Sequence, residues 1–222
     1  MAPETSRSKS LAYTLGIFIL LGSIAALVIW RDVNLRQRAA RTDTRETTSN
    51  ARQLGIAFLE FDTDYGSFPH ESTVPLVNKS HPTHSYDLSG SSSNALFRQL
   101  FAVDFVRSEG IFFAKVPGLR KPDGIIIPGE ALKKGEVGFA YIAGLTSLGD
   151  PNRPLALTPL IPGTTKFDPK PFGGKAVILH TDNSVRSYNI DKDGHIYDKG
   201  INLLSAKHPM WAGITPDIRY PE

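Results

Sequence analysis

The stretch NARQLGIAFLEFDTDYGSFP, residues 50–69, decides how the rest of the chain is read. Its apolar positions Ala51, Leu54, Phe58, Phe61 and Tyr65 recur at spacings of 3, 4, 3 and 4. That is the pattern of a helix laying one stripe onto a core. Gly66 can adopt the left-handed conformation that caps a helix, and Pro69 cannot continue one. The spacing therefore predicts a helix that stops at residues 65–66 and packs on the domain that follows it.

Upstream, residues 11–30, LAYTLGIFILLGSIAALVIW, carry no charge and no proline. Twenty helical residues span roughly 30 Å, the thickness of a bilayer's hydrocarbon core. Trp30 and Arg31 sit where interfacial anchors belong. A transmembrane helix is expected here, behind a tail of residues 1–10. The apolar run exceeds the roughly 7–15 residues of a signal-peptide core, which favours a retained signal anchor over a cleaved leader. From Trp30 to Gly55 there is no glycine or proline. The helix is therefore expected to continue through residues 31–66 as stalk and spine. Arg36, Arg38, Arg41 and Arg45 on that stalk are candidate contacts for acidic partners or lipid headgroups.

Residues 67–222 change character and read as an α+β head. Residues 70–93 look like loop. Asn94 is a suitable N-cap for ALFRQLFAVDFV. GIFFAK (110–115) and GFAYIAG (138–144) look like short strands, separated by a proline- and glycine-rich segment. Six prolines between residues 149 and 174 mark a second long loop, and KAVILH and VRSYNI around TDNS read as a β-hairpin. The fold class expected is α+β: an N-terminal transmembrane helix continuing into a long amphipathic helix packed on a small antiparallel sheet.

Composition narrows the function classes. The chain has 222 residues, a formal charge of +3 and no cysteine, which removes disulfides, thiolate metal sites and cysteine nucleophiles. Its basic residues are not interleaved with stacking aromatics, so no nucleic-acid partner is expected. The sequence lacks GxSxG, HExxH and P-loop patterns, and no enzymatic activity is expected. In DKDGHIYDKG, Asp191, Asp193 and Asp198 surround Gly194 as candidate Ca²⁺ ligands; the alternative is a solvated Asp/Gly turn. His81 and His84 lack a third ligand nearby for zinc, and His180 reads as a packed side chain. Ile125, Ile126 and Ile127 are either an exposed docking tip or a buried strand.

The membrane helix, the helix end at 50–69 and the AVILHTDNSV hairpin together resemble the type IV pilin-like fold, as in the pseudopilins of type II secretion. The GFAYIAGL strand and LIPGTTKFDPKPFGGKAVILHTDNSV extend the resemblance, which covers residues 11 to about 200. It implies a non-enzymatic inner-membrane protein with an extracytoplasmic head. Implied partners are other pilin-like subunits, secretion-machinery proteins, or further copies associating through the N-terminal helix. Some members bind calcium in a C-terminal loop. The segment SKSLAYTLGIFILLGS departs from the family's cleavage motif: no glycine precedes Tyr13, and the helix supplies no glutamate. A permanently anchored protein is therefore expected. The positive-inside rule, applied to the arginines after Trp30, would keep the head in the cytoplasm, whereas the resemblance places it outside; outside is the expectation. The alternative function is a membrane-tethered extracytoplasmic ligand-binding or sensing module, with residues 149–174 forming its pocket.

Overall fold

The computed structural model describes residues 5–222, with side chains from residue 21 onward. One continuous helix, α1, runs Thr5–Tyr65. The chain divides into two compact units, residues 1–41 and 42–222. In the first unit the large apolar side chains from Leu21 to Leu35 are 46–67% exposed. Among the described residues no helix is long and apolar enough to cross a membrane. Residues 11–20 of the expected membrane segment lie outside the residues whose side chains are described.

In the second unit α1 becomes the spine of the core. Ala51, Leu54, Phe58 and Phe61 are fully buried, and Thr47 and Ala57 extend the same face. The Phe58 ring lies 5.5 Å from Phe97 and 5.4 Å from Tyr141. Tyr65 is half-buried and stacks on Phe61 at 4.5 Å. Burying each such side chain is worth about 1.5–3 kcal/mol against leaving it in water. Gly66 ends the helix at φ +78°, with its N–H on the Asp62 carbonyl at 2.8 Å. Pro69 is buried, and its carbonyl accepts the Tyr141 hydroxyl at 2.9 Å.

Residues 70–93 hold more structure than the sequence suggested. His70 caps a 3₁₀ turn, Glu71–Thr73, by accepting the Ser72 N–H at 3.2 Å. Helix α2, Val74–Ser80, follows directly. Helix α3 runs Ser93–Ala102, and its N-cap is Ser92, whose hydroxyl accepts the Ala95 N–H at 3.1 Å. Asn94, the expected cap, is instead the second residue of the helix and is buried. Its amide donates to the carbonyls of Leu132 and Lys133 and accepts the Glu222 N–H.

Five antiparallel strands form the sheet: β1 Ala140–Ile142, β2 Pro154–Thr158, β3 Lys175–His180, β4 Val185–Asn189 and, after a small hairpin, β7 Ile218–Arg219. Their order is β4–β3–β2–β1–β7. The hairpin comprises β5, Tyr197–Asp198, and β6, Ile201–Asn202. The fold is thus α+β, with a long N-terminal helix and an antiparallel sheet. Strand β2 lies inside the proline-rich stretch; Pro154 opens it, the position where a missing N–H is tolerated, and all five of its residues are buried.

The expected strand at 110–115 is replaced by a 3₁₀ turn, Glu109–Phe112, and an extended run. Three consecutive carbonyls there are already committed. Phe112 O accepts the Gly138 N–H at 2.8 Å, Phe113 O accepts the Asn50 amide at 2.9 Å, and Ala114 O accepts the Val116 N–H at 2.8 Å. No ladder is left for a sheet partner.

Candidate functional site

The loop 120–135 is built around one carboxylate. Glu109 is fully buried, and its two oxygens accept the N–H groups of Leu132 at 2.7 Å and Gly124 at 2.9 Å. Burial pushes its pKa above the ordinary glutamate value, and the two backbone donors pull against that rise. The loop's legs are tied by Arg120 N–H on the Gly135 carbonyl at 2.9 Å, and the Tyr86 hydroxyl donates to the Ile126 carbonyl. Ile126 packs against the core, whereas Ile125 and Ile127 are 42% and 59% exposed. Residues 125–127 form no strand.

Nearby lies a cleft of about 450 Å³. Val116, Pro117 and Leu119 form one wall, Pro159–Pro162 the other, and Val137, Gly138 and Ala140 the floor. The charged residues of the lining are Asp168 and Glu222. The second wall belongs to the proline-rich segment 149–174.

A second, more polar cleft of about 420 Å³ lies between β4 and the β5–β6 hairpin, lined among others by Arg186, Tyr188, Asp198 and His208. His208 Nδ1 accepts the Met210 N–H at 3.4 Å, and its Nε2 lies 3.5 Å from Asp198. His180, close behind it, has Nδ1 2.7 Å from the Asn152 carbonyl and Nε2 3.0 Å from the Tyr188 hydroxyl. A carbonyl can only accept, so Nδ1 carries the proton and Nε2 receives the tyrosine's. Burial lowers the His180 pKa. Both ring nitrogens are committed, which suits a structural imidazole rather than a general base.

Of the aspartates proposed as calcium ligands, Asp191 and Asp193 share one turn and Asp198 lies on β5. Asp191 Oδ1 closes its own turn by accepting the N–H groups of Asp193 at 2.9 Å and His195 at 2.7 Å. These bonds, that of His195 foremost, hold its carboxyl below the usual aspartate range. Asp198 is carried away on β5 to face His208. Among the described residues no group of three or more His, Asp or Glu side chains is placed to hold a metal ion. His81 lies 3.0 Å from the Ser80 hydroxyl and 3.3 Å from that of Tyr65, and His84 lies 2.8 Å from the Asn78 side chain. Both serve the loop after α2.

Arg36, Arg38, Arg41 and Arg45 are all exposed. Arg36 pairs with Asp32 at 2.8 Å, one turn away. Asp43 meets Lys115 at 3.1 Å, tying α1 to the segment after the Glu109–Phe112 turn.

Sequence reasoning missed the buried polar side chains that organise the head. Besides Glu109 and Asn94, Gln99 accepts the Thr73 hydroxyl at 2.6 Å and donates to the His70 carbonyl at 3.0 Å. Asp62 accepts the N–H and hydroxyl of Ser147. The one available signal lay in α3, where Gln99 interrupts an apolar face; Glu109 in SEG reads like any solvated turn.

Compared with known proteins, the chain matches no family model, no curated protein and no solved structure.

Proposed function

We propose that this chain is a non-enzymatic, membrane-anchored structural or interaction protein of the pilin-like kind. Its apolar residues 11–30 are embedded and its α+β head is held outside the cytoplasmic membrane. The observation that carries the reading is the two-part use of α1. From Thr47 to Phe61 the helix is the buried spine of the head, while from Leu21 to Leu35 its large apolar side chains have 46–67% of their surface uncovered. Apolar surface of that extent calls for lipid or for neighbouring helices. The exposed arginines that follow Trp30 suit acidic headgroups or acidic partner subunits.

The test uses the full chain expressed in a bacterial host. It should stay with the membrane pellet through alkaline carbonate washing, and Ile24→Lys with Leu27→Lys should release it. A cysteine at exposed Ser91, in a chain otherwise free of cysteine, should react with an impermeant thiol reagent in unbroken cells. Release of the unaltered chain by carbonate would overturn the anchor. Labelling only after lysis would overturn the outward-facing head.

A further inference from the structure

Two features of the head match one another in shape and charge: the isoleucine tip of loop 120–135 and the proline-walled cleft. We propose that the tip of one copy seats in the cleft of a second copy, joining heads in a head-to-tail manner. This contact does not depend on association through the N-terminal helix.

The tip is an apolar knob on a fixed mount. Ile125 and Ile127 are exposed, and the backbone beneath them is held by Glu109 on both sides and by Tyr86 at Ile126. The cleft is an apolar hole of about 450 Å³, within the ~300–1,000 Å³ of preformed binding sites. Its second wall begins and ends on a proline, Pro159 and Pro162, and proline rings hold φ fixed. Neither surface must be ordered on binding, which removes much of the usual entropic cost.

Charge selects this pairing. Glu136 is held by Arg120, and both Asp123 and Glu130 by Lys133. Lys121 and Lys134 remain exposed on the two legs, with no carboxylate within 4.0 Å among the described residues. The charged residues of the cleft, Asp168 and Glu222, are both acidic. A basic-collared apolar tip thus faces an acid-edged apolar hole. Knob and hole are different sets of residues, so a contact that is not made reciprocally about a two-fold axis extends into rings or open chains.

The absence of native cysteine makes the test direct. Full-length Ile127→Cys and Ile161→Cys variants, each altered at an exposed residue, are purified separately, mixed in detergent and oxidised mildly. The mixture should form the disulfide-linked dimer at least about tenfold faster than either variant alone, because docking raises the local thiol concentration. It should also outpace Ile127→Cys mixed with Leu148→Cys, whose site is the 94% exposed Leu148. Adding Lys121→Glu to the first partner should slow the reaction, and Asp168→Lys in the second should restore it. Melting temperatures will verify that every variant is folded. Equal rates in all mixtures, dimerisation of Ile127→Cys alone, or charge swaps without effect would overturn the proposal.

Discussion

Gly138 lies where the 112–114 segment crosses the start of β1, and Gly138→Ala tests whether that crossing is as close as it looks. A Cβ built there would sit 2.5 Å from the Ala114 nitrogen, 2.7 Å from its Cβ and 2.9 Å from its Cα. Two of these atoms are backbone, so no rotamer change relieves the clash. Overpacking of this kind costs about 1–3 kcal/mol, and a backbone clash belongs at the top of that range. Replacing glycine also narrows the unfolded ensemble, which returns about 0.4–1 kcal/mol. The net loss is about 2 kcal/mol, or roughly 4–8 °C in melting temperature for a domain of this size. The assay is a near-UV circular dichroism melt of the full chain in detergent. Gly149→Ala is the control: its Cβ would come no nearer than 3.4 Å, to Nη1 of the Arg153 side chain, and should shift stability by less than about 0.5 kcal/mol. If Gly138→Ala melts with the wild type, or Gly149→Ala falls as far, the close-approach argument is wrong.

Phe58→Ala should destabilise the head by about 3–5 kcal/mol, whereas Ile56→Ala, two positions away but 52% exposed, should cost less than about 1 kcal/mol; chemical denaturation of both variants checks the orientation of the stripe. The lowered pKa of buried His180 means the unfolded chain binds its proton more readily than the folded one. Its contribution is therefore present above the ordinary histidine value of about 6.5 and is lost as pH falls from there toward the lower folded value. Melts across this window should show the loss in wild type and a flatter response in His180→Gln. Glu109 has the opposite sign, since its raised pKa makes stability decline as pH rises from the ordinary glutamate value through the folded one. Glu109→Ala should free both Leu132 and Gly124 N–H groups at once, and faster amide hydrogen exchange at those two positions is the result to look for.

Legibility in the sequence followed the range of the forces involved. The stripe from Ala51 to Tyr65, the stop at Gly66 and the β3–β4 hairpin all arise within a few residues, and a local pattern records them. Asn94 shows where that approach fails. It has the chemistry of a cap, but a cap is chosen against its alternatives, and Asn94 instead satisfies carbonyls 38 and 39 residues away. The segment at 110–115 has the composition of a strand and lost its ladder to Asn50 and Gly138, which no local window contains. The prolines around β2 read as loop because proline excludes a strand interior, but not its first residue. The three aspartates are close in sequence, but while Asp191 and Asp193 share a turn, Asp198 sits on β5 and faces His208.

The path of residues 217–222 sets the order in which the head can be completed. Strand β7 pairs with β1, Tyr220 O accepts the Ser93 N–H at 3.1 Å, and Glu222 O accepts that of Gly135 at 3.0 Å. Arg219 bridges to Glu71 across 148 positions of chain. Contacts of such separation must meet their loop-closure cost before they return any energy. The β3–β4 hairpin joins neighbouring residues and can assemble early, whereas this final segment has long loops to close before it docks. Until it does, β1 presents an unpaired edge in a partly folded head, the kind of surface on which nascent chains pair with one another. The yield of folded protein will therefore depend on chain concentration during refolding, and substitutions in 217–222 will raise losses to aggregation well before they lower the stability of the finished fold.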